Sequence, residues 1–363
     1  LATAVESSVN VPPHDNSAMD GYAVRAADVT TEGVTLPISQ RIPAGQTGTP
    51  LKAGTAARIF TGAPIPEAAD TVVMQEFCDE ADGQVTFNTT PKAGANVRAT
   101  GEDIKHGATI LEPGMRLRPQ ELGLAASVGV PELNVYRRLR VALFATGDEL
   151  VDPGQPLEPG QIYNSNRYTL SGLLQAYGCD VIDLGRVADT LDDTKTALST
   201  AADKADLIIS SGGVSVGEED YVKLAVEQLG KLDMWRIAMK PGKPVAYGKV
   251  GDTDFIGLPG NPVSVFVTWC LFAQPFISKM QGLNKVLPSI VKLTADFDWP
   301  KAGKRRDFAR AQLGSDNKIS LYPHQGSGVL SSAAWADGLA EIPENTVIKK
   351  GDLVNYYSFR ELY

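Results

Sequence analysis

Across residues 140–273, short apolar runs alternate with amphipathic stretches, and this rhythm sets the expected architecture. RVALFAT (140–146), CDVIDLG (179–185) and ADLIISS (205–211) are apolar runs of strand length. RYTLSGLLQAYG (167–178), DDTKTALSTAADKA (192–205) and the segment 221–229 carry apolar residues at helical spacing, and Gly178 closes the first of them. Asn261 as N-cap and Pro262 at N1 mark a further helix start. Strands alternating with crossover helices predict a parallel sheet covered on both faces. Such sheets bind ligands beyond the carboxyl ends of their strands. Segments 147–149, 212–220 and 258–262 then gather at one edge as a single site.

The flanks have a different texture. From 34 to 100 the runs VTLPI, AARIF, TVVMQEF and QVTF are cut by Gly and Pro with no helical period, which predicts a small all-β unit. Ahead of it, Pro12 and Pro13 impose an extended entry, and Asp20–Gly21 turns into a strand. After 287 the runs KLTADF, FARAQL, ISLYP and VIKKGDLVNYYSF predict a second β domain, a barrel. The fold class is therefore multidomain, α/β plus all-β.

Composition narrows the functional classes. With 363 residues, 43% hydrophobic and 21% charged, the chain is an ordinary globular protein of several domains. A formal net charge of −9 argues against nucleic acid as the partner. Cys78, Cys179 and Cys270 lie far apart, which is neither a disulfide framework nor a zinc knuckle and indicates a reducing compartment. The apolar stretch 263–273, followed by Gln274 and Pro275, is too short to span a bilayer. A soluble, cytoplasmic protein with no membrane partner is expected.

The candidate chemistry centres on SSGGVSVGEEDY (210–221). Two glycines after a strand let backbone N–H groups approach an oxyanion, although a plain tight turn gives the same pattern. Residues 235–249 and 301–310 are basic clusters in an acidic chain. Lys240 and Lys243 sit in KPGKP, where prolines stiffen the backbone and lower the entropy lost on holding an anion. Glu149 and Asp220 would oppose that positive field unless a metal lay between them, and Mg²⁺ commonly takes one or two carboxylates and bridges to phosphate. Together these features point to phosphoryl or nucleotidyl chemistry. There is no Walker A sequence and no nucleophile elbow.

DNSAMDGYAV, FTGAPIP, GEDI, TGDEL, SSGGVSVGEEDY, KPGKP and GLPGNPVS occur together in this order. The chain thereby resembles the molybdopterin molybdenumtransferases, the MoeA family that includes the gephyrin E domain. The resemblance covers nearly the whole chain, with the family's preceding N-terminal helical segment expected to be absent. It implies a split first domain (1–14 and 103–138), a β domain (15–102), a molybdopterin-binding α/β domain (139–286) and a C-terminal β-barrel (287–363). It also implies a homodimer with a shared active-site cleft. The implied reaction inserts molybdenum from molybdate into adenylylated molybdopterin, with Mg²⁺-dependent release of AMP. A molybdopterin adenylyltransferase would be the upstream partner.

Residue by residue, the family's functional acids fall on Asp20, Asp103, Glu149, Asp189 and Asp220. Thr61, Lys240, Pro259, Pro262, Arg310 and Ser327 also match positions that the family uses. The resemblance assigns Glu149 and Asp220 to the metal and adenylate phosphate, Gly212, Gly213 and Ser215 to the phosphate cradle, and Lys240 with Lys243 to the substrate anion. Arg310 and Ser327 are expected to bind or guide molybdate, and Arg236 stands where some members have lysine. Two alternatives remain at this level: a molybdopterin adenylyltransferase, which leaves the flanking β units unexplained, and a gephyrin-like scaffold with an idle site.

Overall fold

Strand-forming side chains in the first hundred residues take the extended backbone their composition favours. The computed structural model describes residues 1–214 and 221–361. Among these, the first six main strands are β1 (Gly21–Val24), β2 (Thr35–Ile42), β3 (Ala56–Ile59), β4 (Thr71–Met74), β5 (Cys78–Ala81) and β6 (Gln84–Phe87). They make one sheet of order β4-β1-β3-β2-β6-β5, antiparallel except between β2 and β3. Tyr22, Val24, Val73, Val85 and Phe87 fill its core. The same unit, Leu1–Val135, carries α1 (Pro119–Ser127), whose Ala125 packs with Leu1, Val5 and Leu111.

The second unit, Tyr136–Tyr363, holds the alternating segment and the last β segment. Its α/β layer runs β7 (Arg140–Thr146), α2 (Ser165–Ala176), β8 (Asp180–Val187), α3 (Leu191–Lys204), β9 (Leu207–Ser211) and α4 (Tyr221–Leu229). It continues with β10 (Gly230–Arg236), β11 (Met239–Lys240), β12 (Pro244–Val250), β13 (Thr253–Leu258) and α5 (Pro262–Thr268). The sheet order is β8-β7-β9-β13-β12-β10. The first four strands are parallel. Alternation buries both faces: Val141, Leu143, Ile209 and Ile256 face α2 and α5, while Ala142, Phe144, Ile208 and Phe255 face α3 and α4. That is why these strands read as near-continuous apolar runs. Beyond the parallel half, β12 and β10 add an antiparallel edge that helix–strand alternation did not reveal.

Thr190 caps α3, its hydroxyl accepting the Asp193 N–H at 3.2 Å. Thr190→Ala is expected to destabilise the second unit by about 1 kcal/mol, read as a lower urea midpoint by far-UV circular dichroism.

The helix that begins at Pro262 does not stop at Gln274–Pro275. A π turn (Trp269–Ala273) leads into α6 (Gln274–Met280). The widened turn accommodates the missing N–H of Pro275. The resulting 19-residue stretch is long and apolar enough to cross a membrane, yet 67% of its apolar window is buried in the second unit, as a core helix is.

The barrel comprises β14 (Val291–Ala295), β15 (Arg306–Leu313), β16 (Lys318–Leu321), α7 (Leu330–Trp335), β17 (Gly338–Ile342) and β18 (Leu353–Ser358). The order β15-β16-β14-β18-β17 closes through a β17–β15 pairing. Ala295, Ala309, Ala311, Ile319 and Ala340 fill its interior. Phe308, Leu339, Tyr357 and Phe359 instead join the core of the α/β layer, with Phe359 edge-on to Phe266 at 5.0 Å. Strand β11 pairs in parallel with β15 and sets Lys240 opposite Asp307.

Candidate active site

The order β8-β7-β9 changes direction at β7, so the crevice between the ends of β7 and β9 is a topological switch point, where sheets of this kind bind ligands. The backbone turns tightly there. Gly212 and Gly213 have φ of 91° and 64°. A Cβ on Gly212 would lie 2.7 Å from the Thr146 carbonyl oxygen, and one on Gly213 would strike Val222 of α4. The turn thus demands glycine on steric grounds alone, and it leaves bare backbone facing a cleft of about 920 Å³.

Three further segments of the second unit wall the cleft: the first turn of α2, the Pro241–Gly242–Lys243 turn, and the Gln325–Gly328 loop before α7. Hydrogen bonds tie the first turn of α2, the end of β9, residues 259–263 and the Gln325–Gly328 loop to one another. Asn166 Nδ2 donates to Ser211 Oγ at 2.9 Å and to the Gly260 carbonyl at 2.7 Å. Ser211 Oγ donates to the Pro259 carbonyl at 3.4 Å, and the Val263 N–H donates to the Ser327 carbonyl at 3.0 Å.

Charge is segregated along the wall. Lys240 Nζ stands 3.4 Å from each carboxylate oxygen of Asp307, with half of its side chain exposed. Arg305 lines the cleft and donates to the Met239 carbonyl at 3.2 Å. Burial raises the pKa of Asp307 above the ordinary carboxylate value, against the lowering effect of Lys240, Arg305 and Arg310. The acids on the wall are Glu149, exposed and folded close over Gly147, and the half-buried Asp189.

Comparison with known proteins decides the family. Residues 1–129 match a family model described as "MoeA N-terminal region (domain I and II)", 142–279 one described as "Probable molybdopterin binding domain", and 292–359 "MoeA C-terminal region (domain IV)". A molybdopterin molybdenumtransferase of Haemophilus influenzae is 46% identical over 314 residues, covering 85% of this chain and 77% of the relative. One of Nostoc is 41% identical over 357 residues, covering 94% and 82%. This chain belongs to the molybdopterin molybdenumtransferase family. The crystal structure of a molybdopterin biosynthesis MoeA protein from Pyrococcus horikoshii superposes with a TM-score of 0.86 at 27% identity, covering 99% of this chain and 91% of that one. Another crystal structure of a molybdopterin biosynthesis MoeA protein from Pyrococcus horikoshii gives 0.80 at 30% identity, covering 99% of this chain and 90% of that one.

In this chain Glu149, Asp189, Gly212, Gly213, Lys240, Lys243, Pro259, Pro262 and Ser327 all line this cleft. Asp20, Thr61 and Asp103 belong to the first unit. There Asp20 Oδ1 accepts from both the backbone N–H and the hydroxyl of Thr61, each at 2.8 Å. Those bonds, with the nearby Arg58 charge, hold the Asp20 carboxyl below its usual range. Asp103 is exposed, its N–H bonded to the Val11 carbonyl at 3.0 Å. Ser215 and Asp220 lie outside the described residues, as does the side chain of Arg236.

Arg310 is not among the residues that line the cleft. It is 1% exposed, and its guanidinium donates to Ser332 Oγ (3.0 Å) and to the carbonyls of Phe308 and Gly326 (both 3.3 Å). The pleat of β15 turns Phe308 and Arg310 away from the barrel interior, which Ala309 and Ala311 fill. Burial brings its pKa down to about 10. Arg310 therefore supports the Gly326–Gly328 loop from beneath, with its guanidinium bonded to protein groups.

Sequence reasoning missed Asn164, Asn166, Arg305 and Gln325 on the wall. Two left a signal: Arg305 lies in the basic cluster 301–310, and Asn164 precedes SNRYTL as an N-cap, its Oδ1 accepting the Arg167 N–H at 3.2 Å.

Proposed function

We propose that this protein inserts molybdenum from molybdate into adenylylated molybdopterin and releases AMP. The observation that carries this reading is the convergence, at one switch-point cleft, of the Gly212–Gly213 turn, the carboxylates Glu149 and Asp189, and the cations Lys240, Lys243 and Arg305. The names of the relatives support it. In the reaction the phosphoanhydride P–O bond breaks and two dithiolene sulfurs replace two oxo groups on molybdenum. One oxo oxygen completes the phosphate of AMP, the other leaves as water, and no electron is transferred.

The glycine turn would orient the adenylate phosphate through backbone N–H groups. Lys240, stiffened by its prolines and held beside Asp307, would bind substrate anion, with Lys243 and Arg305 adding positive potential. Among the described residues no group of three or more metal-ligating side chains forms. Even so, Glu149 and Asp189 offer hard oxygen donors on one cleft wall, and a site of one or two carboxylates plus phosphate suits Mg²⁺. Glu149 with Asp220 would hold the ion. It would supply neutralising charge to the phosphoanhydride oxygens.

Asp20 and Thr61 of a second copy are proposed to complete the cleft, which makes the protein a homodimer. Light scattering at micromolar concentration is expected to give about twice the mass of one chain, and a fully active monomer would remove the shared cleft. We further place the protein in the cytoplasm, since all three cysteines are free thiols, with an adenylyltransferase supplying its substrate. An assay of AMP release from adenylylated molybdopterin tests the whole reading: synthesis of that compound from ATP instead would make the protein the adenylyltransferase.

A further inference from the structure

We propose that Asn166 is a substrate-binding residue whose Oδ1 accepts a hydrogen bond from a ribose hydroxyl of the adenylyl group. This rests on the adenylyl reading above.

The first turn of α2 brings two amides, Asn164 and Asn166, to the cleft wall. Backbone partners fix the orientation of each. Asn164 Oδ1 accepts the Arg167 N–H, and Asn166 Nδ2 donates to the Gly260 carbonyl. That leaves Asn164 Nδ2 and Asn166 Oδ1, both buried, with no hydrogen-bond partner among the described residues. Asn164 as a whole is only 2% exposed. A buried polar atom left unpaired costs about 1–3 kcal/mol, so native folds keep few of them without a ligand or water to meet them.

The two unmet needs are opposite in kind: an N–H that must donate and a carbonyl that must accept. An ionised phosphate satisfies only the first, because it carries no donor. A sugar phosphate satisfies both. Asn166 Nδ2 holds Ser211, the residue immediately before the Gly212–Gly213 turn. The Oδ1 of the same amide is therefore one group removed from the phosphate turn, where a 5′-phosphate carries its ribose.

Calorimetric titration with AMP, 2′-deoxy-AMP and 3′-deoxy-AMP tests the assignment. The parent protein is expected to bind AMP about five- to tenfold more tightly than one of the deoxy analogues, the worth of one neutral hydrogen bond. Asn166→Ala is expected to bind that analogue and AMP alike. Ser211→Ala, which loses the tie to Asn166 Nδ2 but leaves Oδ1 in place, is expected to keep the discrimination. Asn166→Ser, read in the same way, covers an alanine variant that does not fold. If Asn166→Ala weakens all three nucleotides equally and still discriminates, Asn166 only positions the loops and the assignment is overturned. A parent indifferent to both hydroxyls overturns it too. A parent that binds none of the three overturns the adenylyl reading and this inference with it.

Discussion

Glu149→Gln and Asp220→Asn are each expected to slow AMP release from the adenylylated substrate at least about a hundredfold, about 2.7 kcal/mol of barrier. The melting temperature is expected to stay near that of the parent. Both substitutions keep the shape of the side chain and delete its charge. Glu149 is exposed on the cleft wall, so a neutral amide there leaves the core of β7 intact. For Asp220, a helix-capping role and a metal-holding role predict opposite results. A first-turn acid contributes about 0.3–1 kcal/mol through the helix dipole, and asparagine caps about as well as aspartate. A purely capping Asp220 would therefore give a small thermal shift and normal turnover. A carboxylate holding charge against the phosphoanhydride would give native stability and lost turnover, because metal stabilisation of such a transition state is worth several kcal/mol. Single-turnover AMP release, followed chromatographically over a range of Mg²⁺ concentrations, separates the two. Raised Mg²⁺ should rescue the variants partly at most, and turnover within about threefold of the parent (0.65 kcal/mol) would remove the carboxylates from the chemistry.

Lys240→Ala is expected to weaken binding of the anionic substrate by about 1.5–3 kcal/mol, the range for a hydrogen bond to a charged group. The ammonium lies on the cleft wall with half of its side chain exposed, so its loss opens no core cavity. Its removal deprives Asp307 of one cation, but Arg305 and Arg310 still act on that carboxylate. Those two cations keep Asp307 from becoming an isolated buried charge. Titration of the variant with adenylylated molybdopterin decides the matter. Unchanged affinity would make Lys240 a structural partner of Asp307 and nothing more.

The contrast between Lys240 and Arg310 shows how far sequence reading reaches. Both are basic residues in basic clusters, and the sequence marks both as candidate anion-binding residues. Lys240 reaches the cleft because its two-residue strand sits at the edge where the α/β layer meets the barrel. Arg310 sits in the middle of β15, on the face that packs against the α/β layer and α7, so its charge is spent on a hydroxyl and two carbonyls. Cluster composition carries no information on which face a strand residue takes once the strand is closed into a barrel.

Local signals determined much of the rest. Two-sided apolar runs gave the parallel strands, because a strand buried on both faces needs no polar alternation. Asn261–Pro262 marked the start of α5, although the Asn261 side chain makes no capping bond. The rule for strand ends then brought 147–149, 212–213 and 258–262 to one site without any distance being known. What the tertiary structure alone decided was pairing across long intervals: the antiparallel edge β12–β10, the closure of β17 on β15, and the delivery of Arg305 and the Gln325–Gly328 loop to the cleft. It also decided that Asn166 ties β9 to β13 while keeping one amide oxygen unmet. Periodicity records which face of its own element a residue occupies. Which distant element that face meets depends on packing and backbone pairing between segments many residues apart, and no local pattern encodes that.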